Sequence, residues 1–142
     1  MKRGMVAVVF LVLLTSAAWG ADWYRYQGTL SWNFRQVTGE TDRGSRELYV
    51  LLCYDTTPWS ISVEDLNSNV YFSGEFDQEG TKLQFRASMP NGNETVVGRG
   101  SSNAKATTLN LQAWSFFRAP ASRSGFGQLR FRGKFVDTIW RP

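Results

Sequence analysis

The chain is 142 residues long and carries 16 Lys and Arg against 12 Asp and Glu, for a net charge of +4. That length makes one domain with a modest core. With no His and a single Cys, it cannot form an intrachain disulfide or a Ser-His nucleophile pair, and it lacks the commonest transition-metal ligand.

Met1, Lys2 and Arg3 precede an apolar run from Met5 to Leu14. The run has the length of a signal-peptide core and is too short to span a bilayer. Ala18 and Gly20 place small side chains at −3 and −1 of a cleavage site before Ala21. Residues 1–20 are therefore expected to be a removed signal peptide, and 21–142 a single β domain. The expected location is periplasmic or extracellular, as a soluble protein with no stable membrane anchor. Losing Lys2 and Arg3 removes two of the net positive charges.

Beyond the signal, period-2 alternation dominates. Over 24–35 the even positions are Tyr24, Tyr26, Gly28, Leu30, Trp32 and Phe34, while Arg25, Gln27, Thr29, Ser31, Asn33 and Arg35 alternate with them. That is a strand with one wet and one buried face. The next strand, 46–54, is apolar on both faces: Leu48, Val50, Leu52 and Tyr54 on one, Tyr49, Leu51 and Cys53 on the other. A simple barrel would turn the second row to water, so Tyr49, Leu51 and Cys53 are a candidate interface. The C-terminal tail 138–142, a long loop or a second subunit could cover it, which makes a homodimer one candidate partner arrangement.

Shorter alternating runs follow around Trp59–Val63, Val70–Phe76 and Leu83–Ala87. Thr-, Val- and Leu-rich stretches cover 94–100 and 106–116, and Leu129–Phe135 alternates with Arg130, Arg132 and Lys134. About eight strands result. Asp77-Gln78-Glu79-Gly80 and Asn91-Gly92 carry hairpin chemistry, and Pro58 breaks a ladder it cannot donate to. The expected fold is all-β: a small antiparallel up-and-down barrel, with a two-sheet sandwich as the alternative. Size, aromatic content and strand count resemble lipocalin- and avidin-like barrels in outline. A transmembrane barrel is disfavoured, because Trp59–Val63 is too short to cross the bilayer.

A meander of eight strands sends the long connections 37–45 and 117–126 to one end. Strand direction brings Trp32, Phe34, Phe85, Trp114 and Phe131 toward that mouth, as a candidate site for a small apolar or aromatic ligand. The alternative is a solid core and an envelope interaction or structural protein acting through its surface. Leu109 and Leu111 oppose Trp114 and Phe116 in parity, which calls for a bulge near Ala113.

Charge is uneven: residues 55–94 hold seven acids and two bases, residues 95–142 eight bases and one acid. Opposite charges on neighbouring strands would account for this, and so would steering of an anionic partner. The stripe Arg130, Arg132, Lys134 could hold phosphate or an acidic glycan. Nucleic acid is not an expected partner of an exported protein. Glu75, Asp77 and Glu79 could gather Ca²⁺ but lack an oxygen-rich loop. Asn93-Glu94-Thr95 matches a glycosylation sequon. No catalytic motif, cofactor fingerprint or metal-ligand cluster stands in the sequence, so no enzymatic activity is expected.

Overall fold

The computed structural model describes residues 20–36, 39–92, 94–117 and 125–142. The expected signal peptide, Asn93 of the sequon and most of the 117–126 connection lie outside the described residues. Eight antiparallel strands close into a barrel in chain order. They are β1 (Ala21–Gln36), β2 (Thr41–Cys53), β3 (Ser60–Glu64), β4 (Val70–Glu79), β5 (Lys82–Ser88), β6 (Glu94–Ser102), β7 (Thr108–Phe117) and β8 (Gly125–Arg141). β8 pairs back onto β1 along nearly its whole length, which removes both sheet edges.

The alternation read from β1 sets the two faces. Tyr26, Leu48, Val50, Leu52, Ile61, Phe76, Leu83, Leu109 and Phe131 point inward and form one buried cluster. Arg25, Gln27, Thr29, Ser31, Asn33 and Arg35 take the other side of β1. Apolar inside and polar outside is the inverse of a transmembrane barrel, whose apolar band faces lipid.

A narrow barrel must fit large side chains without overfilling its taper. It does so by setting rings over glycines. A Cβ on Gly127 would lie 1.6 Å from the Phe34 ring, one on Gly44 2.4 Å from Trp32, one on Gly98 2.6 Å from Phe85, and one on Gly133 2.4 Å from Phe131. Each large residue takes the volume a neighbouring strand leaves free.

Turn chemistry matches the sequence reading at two hairpins, where Gly80 (φ 60°) and Gly92 (φ 74°) adopt the left-handed region. Asp65 organises the β3–β4 turn by accepting from the backbone N–H of Asn67 (2.8 Å) and of Asn69 (2.9 Å).

Two register shifts depart from a plain meander. One, between Val63 and Glu64, leaves Tyr71 unopposed on β4. The other leaves Val136 unopposed on β8, because Tyr26 faces Phe135 while Arg25 faces Asp137. Such a bulge re-aims side chains. Before it, β8 turns even positions such as Arg130 outward; after it, Asp137 and Arg141 face outward beside Arg25. The bulge expected near Ala113 is absent. β7 keeps continuous register with both β6 and β8, so Leu109, Leu111, Ala113 and Ser115 are the inward row.

Candidate functional site

The mouth residues named from the sequence separate into two groups. Phe85 and Phe131 are buried in the central cluster, and Trp32 and Phe34 are half-buried against it. Trp114 is a correction: unbroken β7 register puts it on the outer face, where the Arg99 guanidinium stands 5.9 Å from its ring centre. Parity decides this, since Leu109 and Leu111 claim the interior. Among the described residues, the pocket inside the barrel has about 30 Å³ and is walled by residues such as Leu30, Val50, Phe72, Phe85 and Leu129. That is about the share of one water molecule, against roughly 300 Å³ or more for a small-molecule pocket.

One polar pair sits within this end of the interior. Ser115, fully buried, donates to Oε1 of Glu94. Burial pushes the Glu94 carboxyl above its ordinary range, although the Ser115 hydrogen bond opposes the shift. An acid raised by folding weakens the fold once it ionises, so this contribution falls as pH rises through the folded value. Glu94→Gln keeps the acceptor for Ser115 and removes the charge. Its melting temperature should exceed that of the wild type at pH 7, with the difference vanishing below the ordinary carboxylate range. Equal melting at pH 7 would mean that water solvates the carboxylate.

The candidate interface on β2 is also corrected. Leu51 and Cys53 are completely buried in the single chain, although neither belongs to the inner cluster. Their cover is local. Arg141 on β8 reaches across the outside of β1 and β2 to Glu64 on β3, donating through Nη1 and Nη2 at 2.6 Å each. Arg25, directly opposite Leu51, donates to Asp137 from Nε (2.8 Å) and Nη2 (2.6 Å). Its guanidinium also lies 4.5 Å from the ring centre of Tyr49. Burial pushes the Glu64 carboxyl up, but hydrogen bonds from Arg141 and Ser62 and the charge of Arg141 outweigh it and hold the group below its ordinary range. Leu51 and Cys53 are thus covered within the single chain.

At the short-turn end, aromatic rings close the barrel. Tyr54 packs edge-on against Tyr24 (5.7 Å), Trp59 (5.1 Å) and Phe76 (5.3 Å), and Phe135 against Tyr26 (5.7 Å). Burial pushes the Tyr26 hydroxyl up to about 12, and it donates to the Ala106 carbonyl at 2.9 Å. Sequence reading missed this plug. The alternation marked Tyr24, Phe76 and Phe135 as inward, but only strand direction and closure bring them to one end.

The remaining feature is the outer face of β5–β8, a broad open depression of about 870 Å³. Exposed cations stand on this face: Lys82, Arg99, Arg130 and Arg132 line the depression, and Arg86 and Lys134 lie beside it. On the described outward positions between Lys82 and Ser88 and between Gln128 and Lys134 there is no carboxylate. Register shows how far neighbouring strands balance the charge. Glu75 opposes Arg86 and Glu79 opposes Lys82 at the β4–β5 border. On β8, Arg130 lies between Gln112 and Ser31, Arg132 between Asn110 and Thr29, and Lys134 between Thr108 and Gln27, all neutral. The ion pairs among the described residues are Arg25–Asp137 and Arg141–Glu64. The stripe Glu75, Asp77, Glu79 lies along the outside of β4, and among the described residues no group of three or more His, Cys, Asp or Glu could hold a metal ion.

No family model and no curated protein sequence matches the chain. Among solved structures it is similar to a chain from the structure of intact Ap-TbpB (N and C lobes), with 14% identity and a TM-score of 0.54. The likeness covers 87% of this chain and 27% of that one. At that identity the likeness shows the fold: a small closed antiparallel barrel that also occurs as one part of a larger chain.

Proposed function

We propose that this protein is an exported interaction module of the cell envelope, a solid β-barrel that works through its outer surface. The observation that supports this reading is the small interior pocket, about 30 Å³ among the described core side chains. A carrier of an apolar ligand needs roughly ten times that volume. The outer surface, by contrast, offers a broad cationic face. The occurrence of a similar barrel within a longer chain is in keeping with a module that presents surfaces.

The test is native mass spectrometry of protein purified from its own host, beside titration with apolar, aromatic and lipid probes read by Trp emission. The expected result is a bare polypeptide mass and no saturable response. Trp32→Ala should then cost stability, about 3 kcal/mol, with no binding to lose. A co-purifying small molecule whose affinity Trp32→Ala weakens would overturn the reading.

A further inference from the structure

We infer that the outer face of β5–β8 is a binding site for an acidic glycan, a chain of sugars bearing carboxylate or sulfate groups. The inference deepens the proposal above and rests on it, since it names the surface through which the module acts and the partner's chemistry. Two cross-strand rows make the site. Gln84, Arg99, Gln112 and Arg130 face one another in register, and Lys82, Ser101, Asn110 and Arg132 form the next row. Strand spacing separates Arg99 from Arg130 by about 10 Å, and Arg132 stands about 7 Å along β8 from Arg130. The cations thus form a grid rather than a point, suited to an extended ligand with repeated charges.

Three observations select a glycan among anions. First, the β8 cations have neutral register partners and form no ion pair among the described residues. The carboxylate on their β1 side, Glu47, lies one strand beyond Thr29 and is held by the Thr29 hydroxyl. A guanidinium donates two parallel hydrogen bonds to a carboxylate or sulfate. Second, the positions between the cations are filled by amides and hydroxyls: Gln84, Gln112, Asn110 and Ser101. Each amide both donates and accepts, which suits the hydroxyls of a sugar ring and is of little use to bare phosphate. Third, the described face carries one aromatic, Trp114, and Arg99 already stands over it. Single-stranded nucleic acid is held on a series of aromatic platforms, of which the described side chains of this face offer one. The contact with Trp114 instead restrains Arg99 in place and couples an indole to whatever Arg99 binds.

The experiment titrates the protein with a heparin-derived octasaccharide and with a polyuronate oligomer, read by calorimetry and by Trp emission. At least one should bind saturably, with affinity falling as salt rises. Arg99→Gln and Arg130→Gln should each weaken binding about tenfold, the worth of one charged hydrogen-bonding contact. Arg43→Gln, the same change in net charge on exposed β2, should leave it unaltered. Should Arg99→Gln disturb folding by circular dichroism, Arg132→Gln replaces it. Failure of both glycans to bind overturns the inference. So does an equal loss in Arg43→Gln, or tighter binding of single-stranded DNA or phosphatidylglycerol vesicles. A ligand found inside the barrel would overturn the solid-module reading alone, whereas silent glycan titrations with an empty native mass would overturn only this site.

Discussion

Leu51→Glu is expected to leave the chain largely unfolded, at a cost of about 4 kcal/mol or more. Leu51 has no exposure although it points away from the barrel interior. A carboxylate there would enter a layer already holding Glu64 and Asp137. Both guanidiniums within reach are committed, Arg25 to Asp137 and Arg141 to Glu64. Ser62, opposite Leu51, donates to Glu64 at 2.6 Å, so the new charge would also repel an existing one. Leu51→Ala, which only removes volume, should cost about 3 kcal/mol. Circular dichroism with urea titration separates the two. A Leu51→Glu protein that stays folded with wild-type stability would show that the Arg141–Glu64 strap opens in solution and that the β2 face is available to a partner.

Gly28→Ala is expected to be among the most damaging single-methyl changes, at about 3 kcal/mol, the upper end for overpacking. Its Cβ would fall 1.9 Å from the carbonyl oxygen of Arg132, a backbone atom that cannot swing aside. Gly28 sits between Leu48 on β2 and Gly133 on β8, at the seam where the barrel closes. Adding the methyl pushes β1 away from β8, and closure depends on that pair. Gly74→Ala meets the same obstacle at the Arg86 carbonyl, also 1.9 Å, and should behave alike. Gly80→Ala is the control. Its site is open but has positive φ, so the expected cost is about 1 kcal/mol. Urea midpoints at unchanged m-value would rank them; a Gly28→Ala midpoint no lower than that of Gly80→Ala would contradict the seam argument.

The fold was largely legible because strand alternation is a local property. Tyr26, Leu30 and Trp32 declare one face of β1 within a few residues, whatever the rest of the chain does. The same rule assigned the neighbours of Phe85 and Phe131. It failed at β7, where Leu109 and Leu111 compete with Trp114 for the interior and hydrophobicity alone cannot rank them. Register with Leu129 and Phe131 on β8 settles that parity. The candidate site was harder. Arg130, Arg132 and Lys134 were visible as a stripe, but nothing local says that Arg99 and Lys82 share their face.

By itself, then, the sequence determined the class of fold, the approximate number of strands, the inward row of most strands and the chemistry that is unavailable without His. Only tertiary structure decided how much space the described core side chains leave, where Trp114 points and what covers Leu51. Core volume is a sum over eight strands, so no single strand encodes it. The covering ion pairs join residues 112 and 77 positions apart, Arg25 to Asp137 and Arg141 to Glu64. They meet because barrel closure sets β8 beside β1 and the unpaired Val136 turns the end of β8 outward. Alternation along a strand is set by neighbouring residues, whereas contact between strands is set by the register of the whole barrel.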